Sequence, residues 1–132
     1  MANSIHSVQA VSRVTRTVAV LMLIEAGTLA VASALHLSGS VQGRSLPFNP
    51  DHAGIAEAII GIVLAAGAVV MLRSPARART VGLGATGFAI AGFLLGLSFT
   101  ARGGHLPDVA YHVMMLPVLI GGLIALLRSA PG

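Results

Sequence analysis

Five side chains of this sequence have the types and spacing to do chemistry: His36, Glu57, His105, Asp108 and His112. The last three stand close together. If the segment from Pro107 onward is a helix, Asp108 and His112 lie four residues apart on one side of it, with His105 just ahead, within an arc of about 60°. Imidazole and carboxylate together make an N/O donor set suited to zinc, copper or iron. The same pair can also hold a polar head group and exchange protons with it near neutral pH. Cysteine is absent, which removes thiolate ligands, disulfides and CxxC redox chemistry, so any redox role needs a bound cofactor.

The elements that must position these groups are legible in the composition. Of 132 residues, 55% are hydrophobic and only 9% charged, far from a soluble average. Four apolar runs, 18–37, 53–72, 81–101 and 109–127, are each long enough as helices to cross a hydrocarbon core of about 30 Å. The expectation is an all-α, four-transmembrane-helix bundle forming a single membrane domain over 1–132, with its longest connection at 38–52. Continuous apolarity, without alternation, excludes a β-barrel. The first run follows a basic segment and resembles a leader, but its length and Glu25 favour a retained helix. His6 precedes it and is expected to be solvent-exposed.

All eight basic residues are arginines. Arg13, Arg16, Arg73, Arg77, Arg79 and Arg128 fall on one side of a four-span thread, and Arg44 and Arg102 on the other. The positive-inside rule then makes both termini cytoplasmic, in what is expected to be a bacterial plasma membrane. The net charge of +4 reports topology and gives no reason to expect a nucleic acid partner; the lipid bilayer is the expected one.

Threaded this way, His36, Glu57, His105, Asp108 and His112 all reach the outer leaflet, on three different helices. Three occupants fit such a cluster. A transition metal would take the N/O donors. A b-type haem would use His36 and His112 as axial ligands, with Arg44 and Arg102 meeting its propionates. A quinone would place its head group between Glu57 and His112. His52 lies about 140° around from Glu57 if both are helical and is assigned to the loop.

Glu25 shares a helix face with His36 but lies roughly 16 Å from it along the axis; it is either a buried acid hydrogen-bonded to a neighbouring Ser or Thr, or a proton relay. Gly61, with Ala65 one turn on, and the GxxxG pair Gly92 and Gly96 are expected at close helix contacts. Met114 and Met115 read as packing residues.

One stretch carries a resemblance. Ala56-Glu57-Ala58-Ile59-Ile60-Gly61-Ile62-Val63-Leu64-Ala65-Ala66-Gly67, followed by a basic turn and a small-residue third span, resembles the second-helix signature of the DoxX-like family of small four-helix membrane proteins. The ending of the first span, Ala34-Leu35-His36-Leu37, and an apolar last span closing in Pro131-Gly132 are similar too. The resemblance implies a four-helix bundle and a loose link to membrane redox or stress functions, some relatives being tied to quinone-coupled sulfur oxidation or to thiol and superoxide defence. Glu57 is the polar residue it carries across; the histidine-rich opening of the last span stands outside the pattern.

A rival reading comes from a different class. In it the chain is a non-catalytic accessory or assembly subunit, a homo-oligomer or part of a larger membrane complex, with interfacial polar residues as anchors and Gly92 and Gly96 as a partner-facing surface. No phosphate-binding glycine loop, GxSxG or HExxH motif is present. Polar groups do not continue through both leaflets, which argues against a transport pathway.

Overall fold

The structure, a computed structural model, describes the backbone of residues 2–129 and the side chains from residue 13; His6 and the Pro131-Gly132 ending lie outside the described side chains. The chain is all-helical: α1 (Ala2–Leu37), α2 (Pro50–Arg73), α3 (Pro75–Gly103) and α4 (Leu106–Arg128). Each helix has a stretch long and apolar enough to cross a membrane, in α1 from Arg13 to Leu37.

The helices are longer than the apolar runs, for local reasons. α2 begins at Pro50 because Asn49, in extended conformation, caps it: its side chain accepts the backbone N–H of His52 at 3.1 Å. Proline at the first helical position loses no intrahelical bond, and Asp51 meets the positive helix end. The loop therefore stops at Asn49, and His52 lies in the first turn of α2, correcting its assignment to the loop. The basic turn is absorbed as well. Only Ser74 separates α2 from α3, and Arg77 and Arg79 are helical.

With connections this short, consecutive helices run antiparallel and pack as neighbours. The main contact is α1 on α2, followed by α3 on α4 and α2 on α3, with α4 closing back on α1. Small residues allow it: a Cβ on Gly61 would sit 3.4 Å from the Ala26 carbonyl oxygen, and one on Gly67 would sit 2.7 Å from Ala85 Cβ. Met22, Leu29, Leu64, Phe93, Leu119 and Leu126 fill the middle, all almost fully buried.

Large apolar side chains also face outward, among them Ile24, Val31, Ile62, Leu95 and Met114. A helix apolar on all sides suits a lipid surround. α4 runs unbroken through Pro117, which is on the exposed side. Its C-terminal carbonyls, left without helical partners, are met from α3: Arg79 donates Nε to Leu126 O at 3.1 Å and an Nη to Leu127 O at 3.3 Å.

At the opposite end, the connection between α1 and α2 folds over the bundle. Gly39, at φ +73°, takes the left-handed conformation that ends a helix cheaply. The backbone N–H groups of Arg44 and Ser45 then donate to Gly103 O at 2.8 and 3.2 Å, tying the loop to the end of α3. Phe48 points down from the loop and is buried.

Candidate ligand-binding site

Antiparallel threading brings the last turn of α1, the second turn of α2 and the first turns of α4 to one end of the bundle, beneath the loop. There His36 Nδ1 lies 2.8 Å from Glu57 Oε2, a hydrogen bond between α1 and α2. On the other side of the same ring, His36 Nε2 is 3.6 Å from Asp108 Oδ1. That is ion-pair range but too long for a hydrogen bond. One imidazole thus sits between two carboxylates from two other helices. Above it the Phe48 ring closes in at 5.8 Å.

His112 is held differently. Its Nδ1 is 2.7 Å from the main-chain oxygen of Asp108, one turn back. A carbonyl can only accept, so Nδ1 carries a proton, and in the neutral form of the ring Nε2 presents a lone pair. That nitrogen faces α3 at Gly96, where a Cβ would lie 2.7 Å from it. The ring rests on Phe93 at 5.1 Å between centroids.

Glu57 and His112 line one cavity of about 570 Å³ between α2 and α3. Leu29 and Phe93 form its inner wall, Pro47, Phe48 and Asn49 its roof, and Ile59, Phe88, Leu95 and Phe99 its rim. The rim residues are exposed on the surface of the bundle, so the cavity opens sideways, toward the space lipid would fill. Its lining is apolar apart from a few groups. Glu57 uses only Oε2 in a hydrogen bond and His112 only Nδ1, so Oε1 of the one and Nε2 of the other are free for an occupant. This is the usual make-up of a small-molecule site: a greasy wall with a few fixed polar atoms.

Not every expected residue joins. His105 is half-buried at the start of α4, where its side chain makes no cap hydrogen bond; it lines neither the cavity nor the His36 pair. Arg44 and Arg102 are exposed and do not line the cavity. Arg102 instead donates Nε to Ser98 O at 2.7 Å and lies 5.9 Å over the Phe99 ring. Glu25 is buried and lies apart from this end, one helical turn before Thr28.

Gly92 and Gly96 face inward, at Ile60 and His112. They give α2 and α4 room, as expected of close helix contacts, and both line the cavity.

The occupants can be tested on this geometry. Among the described residues no three of His, Asp and Glu are grouped as a metal ion would need. A bis-histidine haem does not fit either. Both nitrogens of His36 are turned to carboxylates, and His36 does not line the cavity that His112 faces.

No family model, curated protein or solved structure matches the chain. The site is therefore read from its own atoms. Phe48 and Thr100 line it without having been singled out by spacing. The one signal in the sequence was Phe48, an aromatic residue in a loop of glycine, serine and proline, where such a side chain needs somewhere to be buried.

Gly96→Ala tests the shape of the site. The added methyl would press on His112 Nε2 and crowd the side of the ring that an occupant must approach. The expected result is at least a tenfold loss of ligand affinity, equivalent to about 1.4 kcal/mol, with thermal stability in detergent changed by less than about 1.5 kcal/mol, since the His112 ring borders the cavity and can move into it. Unchanged affinity would remove His112 from the site.

Proposed function

We propose that this chain is an integral membrane protein, both termini cytoplasmic, that binds the head group of a lipid-soluble quinone in its outer leaflet. The observation that carries the reading is the sideways-opening apolar cavity with Glu57 Oε1 and His112 Nε2 free at its inner end. A quinone ring has oxygens at opposite edges. His112 Nε2 can accept from the hydroxyl of a quinol, and Glu57 can accept or donate according to its proton. Phe48 and Phe93 supply aromatic walls for the ring. A long apolar tail would leave between α2 and α3 past Phe88 and Leu95. The orientation is supported by the arginines, six of the eight lying at the end away from the cavity.

This reading agrees with membership of the DoxX-like family, which we propose on the second-helix residues around Glu57. A quinone role would also give a cysteine-free chain the redox partner it lacks in its own side chains. The test is equilibrium binding of a short-chain ubiquinol to the protein in lipid nanodiscs, with organic extraction of the purified protein to identify any co-purified quinone. One saturable equivalent is expected, displaced by a longer-tailed quinol. Binding that rises linearly with quinol and is the same in empty nanodiscs would overturn the reading.

A further inference from the structure

His36 does not face the cavity, yet it is the most buried member of the cluster, at 3% exposure, and its Nε2 and Asp108 Oδ2 are buried without hydrogen bonds. Binding of a head group at Glu57 and His112 leaves this arrangement unexplained. We infer that Asp108, His36 and Glu57 form a proton relay joining the protein surface at the loop end to the buried cavity.

The three groups stand in line. Glu57 presents Oε1 to the cavity and Oε2 to His36 Nδ1 at 2.8 Å. Across the ring, Nε2 faces Asp108 Oδ1 at 3.6 Å, a gap that a small rotation of the Asp108 side chain reduces to a hydrogen bond. Asp108 is in the first turn of α4 and keeps 14% exposure, so it is the end that meets water. Phe48 covers the imidazole and keeps bulk water off the path.

Imidazole suits the middle position because it accepts at one nitrogen while releasing at the other. Inward, a protonated Asp108 gives its O–H proton to Nε2 of the ring. Nδ1–H gives its proton to Glu57 Oε2, whose negative charge is thereby cancelled while Asp108 becomes the carboxylate. One O–H and one N–H bond break, one N–H and one O–H bond form, and the ring is left as the other tautomer. The reverse sequence returns the proton outward.

The titratable groups around His36 are Glu57 from α2, and Asp108 and His112 from α4. α3 supplies none, carrying no titratable side chain between Arg79 and Arg102, and the loop supplies only the Phe48 ring. Beyond Glu57, the cavity itself is lined by two further titratable groups, His112 and His52. The purpose of the relay, to exchange protons with a cavity-bound head group, rests on the binding reading above; its existence is tested without any quinone.

The test uses the full chain in vesicles of one orientation, with the internal and external buffers set to different pH, and dicyclohexylcarbodiimide as the probe. This lipid-soluble reagent reaches the cavity from the bilayer and reacts only with a protonated carboxyl. The acid proton moves to a carbodiimide nitrogen, the carboxylate oxygen adds to the central carbon, and rearrangement leaves an N-acylurea on Glu57 that is read by mass spectrometry.

In the wild type, labelling of Glu57 is expected to slow several-fold for each unit rise in pH on the Asp108 side and to ignore pH on the other. In Asp108→Asn, which keeps the shape but cannot carry the proton, and in His36→Phe, that response is expected to be lost. Thermal unfolding identifies a variant that has failed to fold, and the isosteric Asp108→Asn keeps the test intact if His36→Phe does so. A pH response unchanged in Asp108→Asn, or wild-type labelling that follows the opposite compartment, would overturn the relay. Protection of Glu57 by added short-chain ubiquinol is a separate outcome that bears on the binding reading alone, so the two proposals fail distinguishably.

Discussion

Glu57→Ala is expected to weaken binding of a short-chain ubiquinol by about 10- to 100-fold. Glu57 is one of a few hydrogen-bonding groups in a largely apolar cavity; a hydrogen bond to its carboxylate is worth about 1.5–3 kcal/mol, each 1.4 kcal/mol being a factor of ten. Alanine also leaves His36 Nδ1 without its 2.8 Å partner inside the bundle, so some stability is lost as well, about 1–3 kcal/mol for an orphaned buried polar group.

Two effects are thus superimposed, and Glu57→Gln separates them. The amide oxygen still accepts from His36, restoring most of the stability, and the amide group still offers hydrogen bonds to the cavity, but it cannot take up a proton. Affinity between that of the wild type and that of Glu57→Ala is expected, with unfolding in detergent close to wild type. Binding by Glu57→Ala within about threefold of wild type, a difference of under 1 kcal/mol, would exclude Glu57 from the site.

The second large effect is expected where the loop meets the end of α3. Gly103 ends α3 where the loop crosses it, and a Cβ there would run into the main-chain oxygen of Ser45 and stand 3.1 Å from Phe48 Cβ. Main-chain atoms cannot rotate out of the way. Gly103→Ala must lift the loop, stretching the two hydrogen bonds from Arg44 and Ser45 to Gly103 O and withdrawing Phe48 from His36.

Overpacking costs about 1–3 kcal/mol and each lost hydrogen bond about 0.5–1.5 kcal/mol, so a loss of roughly 3 kcal/mol is expected in thermal unfolding, with faster proteolysis in the loop between α1 and α2. Gly84→Ala is the control. Nothing lies within 4 Å of a Cβ at Gly84, and alanine is about 1 kcal/mol better than glycine inside a helix, so no loss is expected there. Equal stability of the two variants would show that the loop is not held down at Gly103.

The polar cluster was only partly legible beforehand. Helical spacing correctly puts Asp108 and His112 on one side of α4, because residues four apart share a face. It also draws in His105, which stands just ahead of α4 as expected but joins neither the cavity nor the His36 pair. The pairing itself went elsewhere. Glu57 is bonded to His36 and shares only the cavity with His112, because Gly54 and Gly61 bring α2 hard against α1. His52 was misplaced because its angle to Glu57 says nothing about where the helix starts; the Asn49 cap and Pro50 decide that.

By itself the sequence determined four apolar helices, the antiparallel order that short connections impose, and the end at which the acids and imidazoles gather. Each of these depends only on composition, length and spacing along one chain. The tertiary structure alone decided that His36 stands between two carboxylates, that Glu57 and His112 share a cavity, and that Phe48 roofs it. Those facts depend on how far each helix is rotated about its axis and how closely it approaches its neighbours, which is settled by small residues meeting large ones across the interfaces and not by the spacing of polar residues within any one helix.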